Sequence, residues 1–426
     1  MSASIRYPVG VARIALGHRR TGLCPTFSRP TLQRDGYLLR VPLVGGLLEL
    51  SQVECLAELA RHSSNGIVEL TNRGNLQLRG LAADALPTAL QACRAVRLGD
   101  AAASLVTISP FAGPAEHELR ATLAHCLADV DLERLSRKFV VHVDDVAGMT
   151  ADRPADLSLR LVGGRSETTV PVVGTTTCAT ESEAARLAHR LAELCIQAGP
   201  HARAADLASA RGTAVLATAL GATHAWQPSK SASCSQPPTV GVTVLSRHRK
   251  VVATPSLGAT TVEAAGFASA RPGSGALVEA HLALAAARFG RVNAATLGAI
   301  GRLLRRHELA TMRVTPWRAF AFTCSSAAQA AAVLGDATAI GLLTDPEDPA
   351  VGVIACIGAH GCWQTQLDTL AEAERFVANR PAEIEPGALI HVSGCDKFCA
   401  TRAPVVLTLL GRTDQTGFDV LSPHPE

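Results

Sequence analysis

Aromatic residues are scarce in this 426-residue chain, with Phe, Tyr and Trp together making up 4%. That leaves too few flat rings for a base-stacking nucleic-acid surface. Charge is sparse as well: Asp, Glu, Lys and Arg make up 18% and the formal net charge is +3. A polybasic nucleic-acid binder and a disordered polyelectrolyte are excluded, whereas a basic pocket inside a near-neutral molecule is not. No apolar run is long enough to span a membrane. No acidic residue precedes Asp35, as in a transit peptide, but Pro8, Gly10 and Gly17 favour an extended lead-in. With no secretory apolar segment either, the chain reads as cytoplasmic. No Gly-x-Gly-x-x-Gly follows a strand pattern, so no nicotinamide-binding loop is visible. Twelve cysteines in a chain of this length are too few for a disulfide scaffold.

Apolar residues make up 47%, enough to fill the cores of about two to four domains. The order of the elements repeats once. Leu38 to Leu81 reads as strand, turn, helix, loop, strand, with the helix opening on Ser51 as N-cap and Glu54 three residues later. Ala283 to Thr323 reads the same way, with a helix from about Asn293, and places Thr315 opposite Thr71 at an offset of 244. A second module begins at Ile108 and again at Ala355. There Ser109 falls opposite Cys356 and Leu157 opposite Val405, at offsets of 247 and 248. The pattern is that of one duplicated two-module unit. The Ala/Ser/Gly-rich stretch from His201 to Pro238 reads as the connection. The boundaries expected are 1–97 and 231–335 for the two first modules, 98–230 for a module without clustered cysteines plus the connection, and 336–426 for its counterpart.

The two copies differ in cysteine. Cys356, Cys362, Cys395 and Cys399 follow the spacing Cys-x5-Cys, 32 residues, Cys-x3-Cys, and the first copy has no such set. Cys55, Cys126 and Cys195 lie in helical patterns and read as small core residues. In a reducing compartment a four-thiolate set points to zinc or to an iron–sulfur cluster. Zinc ribbons use closer Cys-x2-Cys pairs around one small ion, whereas a cubane has four separate iron corners. Gly358, Gly361 and Gly394 flank the cysteines and let backbone N–H groups approach sulfur.

These motifs resemble the nitrite/sulfite reductase superfamily. The cysteine spacing carries the resemblance, as do Glu69 to Gly80 (ELTNRGNLQLRG), Leu135 to Phe139 (LSRKF), Thr315 to Arg318 (TPWR), CIGAHGC and HVSGCDKFCA. It spans about Asp35 to Val420. The fold it implies is α+β: a duplicated architecture of two ferredoxin-like half-domains and two α/β modules related by a pseudo-twofold. It also implies a 4Fe–4S cluster on the four cysteines. Within the superfamily the likeness is to the monooxygenase branch of aerobic cobalamin biosynthesis. That branch implies precorrin-3A as a tetrapyrrole substrate, dioxygen, NADH as reductant, a mononuclear non-haem iron and an electron-donor reductase. Its product is the C20-hydroxylated γ-lactone. Sirohaem is not expected. A sirohaem nitrite/sulfite reductase, or a non-catalytic cluster- or zinc-containing tetrapyrrole-binding protein, are the alternatives.

Arginine holds carboxylate bidentately and stays charged. Arg40, Arg73, Arg79, Lys138 and Arg318 stand in the matching motifs and are assigned to the carboxylates of the tetrapyrrole. Arg73 and Arg318 are expected to form a pseudo-twofold pair. The iron ligands are candidates by type only: His142, Asp144, Asp145, His360 and His391. Basic residues that the reductases use on small oxyanions are replaced here by Val140, Pro42 and Ser104. Near the cysteines Ile357, Trp363 and Phe398 depart from the usual residues, Phe398 from a glycine.

Overall fold

The computed structural model describes residues 25–99, 105–221, 241–245 and 280–421, apart from short breaks. The lead-in with Pro8, Gly10 and Gly17 and the connection beyond 221 lie outside the described residues. The described chain forms two compact units. One holds both ferredoxin-like halves and the cysteine-bearing module, and the other holds the module over 105–221.

In the first half, β1 (Thr31–Gln33), β2 (Gly36–Val41), β4 (Ile67–Leu70) and β5 (Leu76–Leu81) form a sheet backed by α1 (Leu50–His62) and α2 (Leu86–Ala95). In the second, β11 (Gly241–Leu245), β12 (Ala280–Ala286), β14 (Thr311–Val314) and β15 (Ala319–Cys324) do the same with α7 (Ala294–Arg306) and α8 (Ala327–Ala339). Each half lends one strand to the other. β3 (Leu47–Glu49) pairs antiparallel with β14, and β13 (Arg291–Asn293) pairs antiparallel with β4. The sheet orders are therefore β1-β2-β5-β4-β13 and β11-β12-β15-β14-β3. One apolar core runs through both halves, including Leu39, Val53, Leu56, Leu76, Leu297, Ile300, Phe320 and Phe322. Burying each such side chain contributes about 1.5–3 kcal/mol.

The strand exchange moves the start of the first helix. β3 runs directly into α1, so Glu49 is the N-cap and its N–H donates to Gln52 Oε1 at 2.9 Å. Ser51 and Glu54 lie inside the helix and do not cap it. Asn293 does cap α7, accepting from the Thr296 N–H at 2.8 Å.

The other unit has the sheet order β10-β9-β8-β7-β6. Its strands are β6 (Val106–Ile108), β7 (Val141–Val143), β8 (Leu157–Val162), β9 (Arg165–Val170) and β10 (Gly174–Cys178), packed with α3 (Pro114–Cys126) and α4 (Glu181–Ala198). Residues 204–220 form α5 (Ala204–Arg211) and α6 (Thr213–Leu220), not the open connection that their composition suggests. Leu207, Leu216 and Leu220 are buried, and Arg203 grips the buried Asp156 carboxylate at 2.8 Å.

The cysteine-bearing module has β16 (Val353–Ala355), β17 (Ile390–Ser393) and β18 (Leu407–Gly411) parallel, β19 (Phe418–Leu421) antiparallel, and α9 (Thr369–Ala378) on the sheet. Across its strands Ile354, His391 and Thr408 stand in register, as Thr107, His142 and Ser158 do across β6, β7 and β8. Cys356 thus matches Ser109, as the sequence spacing indicates. Leu157 matches Leu407 rather than Val405, because each of these leucines starts the third strand.

Candidate cluster site held by three arginines

The parallel strands β16 and β17 end at the cysteine loops, the usual place for a ligand in such a sheet. Cys356 follows the last residue of β16, and Cys395 follows β17 after Gly394. The Gly394 N–H donates to Cys356 Sγ at 3.3 Å and the Gln364 N–H to Cys362 Sγ at 3.3 Å. Burial pushes the Cys395 thiol up to about 12, with the charges of Cys399, Cys356 and Cys362 adding to the rise. Burial also raises Cys356, while N–H groups of Gly394 and Gly358 oppose it. Thiolates this close raise one another's pKa unless a cation binds them.

The donor set fits a four-iron cluster. Its chemistry is four thiols, the charges of three of which act on Cys395, with backbone N–H groups pointing at two of the sulfurs. Among the described residues, no three His, Cys, Asp or Glu side chains gather as a single-ion site. A zinc ribbon would draw its thiolates to about 2.3 Å from one ion.

The loops are fixed from outside by three arginines, each donating to a backbone carbonyl next to a cysteine. Arg291, in β13, donates from Nη2 to Ala355 O at 2.6 Å, just before Cys356. Arg79, in β5, donates from Nη2 to Gly361 O at 3.2 Å, just before Cys362. Arg318 donates from Nη2 to Ala400 O, just after Cys399, and from Nε to Leu70 O at 2.9 Å.

Arg79 is buried, with its Nε and Nη2 on Asp35 at 3.0 and 3.1 Å and its Nη1 on Glu69 at 3.2 Å. Four of its five N–H donors meet protein acceptors, which fixes it in the scaffold of the cysteine loop. The fit demands glycine at 361, where a Cβ would come within 2.6 Å of Arg79 Nη2 and 2.7 Å of the Asp35 carboxyl.

Arg318 is buried too, and burial followed by the charge of Arg291 lowers its pKa to about 10 against the pull of Glu69. The turns after β4 and β14 superpose in pattern, since Thr71 N–H donates to Asn75 O and Thr315 N–H to Ala319 O, both at 2.9 Å. At the same step of each turn stand Gly74, with φ 65°, and Arg318, with φ 59°. The partner of Arg318 across the repeat is therefore Gly74. Arg73 matches Trp317, so the two arginines stand one step apart in their turns.

Arg40 lies in a cross-strand row with Gln77, Glu69 and Arg291 on β2, β5, β4 and β13. The corresponding row in the other sheet is Leu284, Ala321, Arg313 and Leu47. Arg73 is half-buried in its turn, and Lys138 is half-buried in the other unit. Arg291, which the sequence patterns did not single out, sits where the first copy has Leu47.

Phe398 holds a positive φ of 47°, the conformation natural to glycine. Its ring is buried and lies 5.8 Å from the His391 ring. Ile357 is buried and Trp363 is 62% exposed.

The iron candidates are engaged separately. His360 pairs with Asp368 at 3.1 Å, and His391 is buried beside Phe398. His142 lies 3.0 Å from Thr107 Oγ1 and 2.8 Å from Thr150 Oγ1, while Asp145 accepts from Ser109 Oγ at 2.6 Å. Asp144 accepts from the Thr150 hydroxyl and N–H at 2.5 and 2.9 Å, and burial, then the Asp145 charge, pushes it up to about 8.

Residues 30–96 match the family model "Nitrite/Sulfite reductase ferredoxin-like half domain". A Sinorhizobium protein named precorrin-3B synthase is 28% identical over 417 residues, covering 94% of this chain and 83% of that protein. The structure of the Mycobacterium tuberculosis NirA protein is similar at a TM-score of 0.62 and 16% identity, covering 90% of this chain and 73% of that one. At that identity the second likeness speaks for the fold alone. No helix among the described residues is long and apolar enough to cross a membrane. The strand order and the likeness to NirA show a shared fold, residues 30–96 match the half-domain model, and along nearly its whole length the chain is similar to a protein named precorrin-3B synthase.

Proposed function

We propose that the chain is an oxidoreductase of cobalamin biosynthesis that converts precorrin-3A to precorrin-3B with dioxygen and a reductant such as NADH. The observation that carries this reading is a four-cysteine site in a chain that resembles a precorrin-3B synthase over 94% of its length. One oxygen atom of dioxygen enters the substrate at C20. The other leaves as water, with two electrons and two protons from the reductant and solvent. The ring A acetate of the substrate closes the γ-lactone, so no protein nucleophile is required.

A 4Fe–4S cluster on Cys356, Cys362, Cys395 and Cys399 would supply single electrons when bound. The chain's own groups do the rest. Gly394 and Gln364 N–H groups hold two cysteine sulfurs in place. Arg79, Arg291 and Arg318 fix the loops that carry the cysteines. Arg40 and Arg73, with Lys138, remain the basic groups proposed for the tetrapyrrole carboxylates. The described residues gather no ligand set for a mononuclear iron, so no step is assigned to one. Electrons enter from a separate reductase.

The second reading is a sirohaem nitrite/sulfite reductase, favoured by the fold of NirA. Val140, Pro42 and Ser104 weigh against it, because they leave out cations that would bind and protonate a small oxyanion. The deciding experiment is anaerobic purification with assay of iron, acid-labile sulfide, zinc and extractable sirohaem, followed by turnover of precorrin-3A under 18O-labelled dioxygen. The expected result is iron and sulfide without sirohaem, and a product carrying one labelled oxygen. Sirohaem together with nitrite or sulfite turnover would replace the proposal with the second reading.

A further inference from the structure

The arginines around the cysteine loops differ in what is left over after their protein contacts. Arg79 has carboxylates on both sides. Arg291 does not: its Nη2 is on Ala355 O, the nearest carboxylate oxygen is Glu69 Oε1 at 4.0 Å, and Glu69 Oε2 is held by Arg79. Its Nε and Nη1 are buried and meet no acceptor among the described residues, although its side chain is only 12% exposed. Arg318 likewise bonds only carbonyls, and its Nη1 is buried without an acceptor. Three cations, two of them buried and Arg291 12% exposed, thus face two partly buried carboxylates, Asp35 and Glu69. Asp368, the other acid whose charge reaches Arg291, is half-exposed and bound to His360.

Buried guanidinium N–H groups without acceptors are costly, as is buried cationic charge without a counter-anion. Arg318 adds a second cost, because its φ of 59° lies in the left-handed region that disfavours a side chain, and its repeat partner is Gly74. Gly290 makes room for it, since a Cβ there would stand 2.3 Å from Arg318 Cδ. Both features persist where an anion would offset them. The anion that the neighbouring residues can build is a tetrathiolate iron–sulfur cluster, and Arg291 already reaches the carbonyl next to Cys356.

We propose that Arg291 and Arg318 form a cationic seat for the cluster, offering their unbonded N–H groups to it and stabilising its reduced, more negative state. They are positioning residues, and Arg318 thereby moves from the substrate site to the cluster. The inference rests on the cluster reading under Proposed function. It assigns to two residues the setting of the cluster's reduction potential, one of the levers by which a protein tunes such a centre.

The test uses the full chain, loaded anaerobically with iron and sulfide. Wild type, Arg291→Gln, Arg291→Lys, Arg318→Gln and Arg318→Lys are poised at fixed potentials, and the reduced cluster is counted by electron paramagnetic resonance. The Gln variants are expected to bind iron and sulfide and to show about a tenfold lower ratio of reduced to oxidised cluster at the wild-type midpoint, equal to a shift of ~59 mV to lower potential. The Lys variants, which keep the charge and lose the fork, should fall in between. Loaded Gln variants with the wild-type midpoint would overturn the proposal. Should a Gln variant fail to load, its Lys counterpart decides, and an unchanged midpoint there overturns it equally. Wild-type chain that binds no iron and sulfide would instead refute the cluster reading itself.

Discussion

The two α/β modules have the same three-stranded parallel frame and end it in different chemistry. In one, β16 and β17 lead to Cys356 and Cys395, and the Gly394 N–H beside Cys395 donates to Cys356 Sγ. In the other, β6 and β7 lead to Ser109, Asp144 and Asp145, which close upon each other and on Thr150 and His142 through oxygen hydrogen bonds. His142 and His391 hold the same place in register, yet one is bonded to two threonine hydroxyls and the other lies tilted beside the Phe398 ring. The difference teaches that the frame does not confer the site. The residues just past the strand ends do, and duplication left one copy with a self-satisfied polar plug.

The largest way to break this contrast is Cys395→Ser. It should abolish bound iron and sulfide and the visible cluster absorbance together, while Ser109→Cys in the other module should add neither. Iron and sulfide retained in Cys395→Ser would refute the ligand assignment. Next comes Arg79→Met, which leaves Asp35 and Glu69 buried without their cation. A loss of about 3–5 kcal/mol in unfolding free energy is expected, measured by denaturant titration of the chain. A cost below 1 kcal/mol would mean that the cysteine loop does not depend on this anchor.

A smaller effect sharpens the comparison from the other side. The Asp144 carboxyl is raised by burial, then by Asp145, to about 8, above its ordinary value near 4. A raised carboxyl stabilises the fold below its unfolded pKa and loses that contribution as pH rises through the folded one. The module over 105–221 should therefore exchange its amide hydrogens faster, after correction for intrinsic rates, as pH rises from about 4 to 8. Asp144→Asn should flatten that dependence, and the cysteine-bearing module should not share it. An identical pH dependence in wild type and Asp144→Asn would dismiss the assignment.

The site was partly legible in the sequence for a physical reason. The four cysteines lie in two short loops, so their spacing is a local property, and the match of Ser109 to Cys356 follows from counting. The repeat was legible too, because strand and helix periods are local. Helix starts at Ser51 and the open connection over 204–220 were misread, since the first depends on β3 pairing with β14 and the second on burial of Leu207, Leu216 and Leu220. Arg291 was invisible for the same reason. Its significance comes from Ala355, 64 residues away, and from Glu69 in the other half.

The sequence by itself determined the duplicated α+β architecture, the four thiols and the chemistry they can support, because composition, periodicity and short-range spacing are written along the chain. Only the tertiary structure decided which arginines serve the cysteines. A guanidinium's role depends on the acceptors that reach it: the exchanged strand β13 brings Arg291 to the carbonyl beside Cys356, while Arg79 from β5 and Arg318 from the turn after β14 reach those beside Cys362 and Cys399.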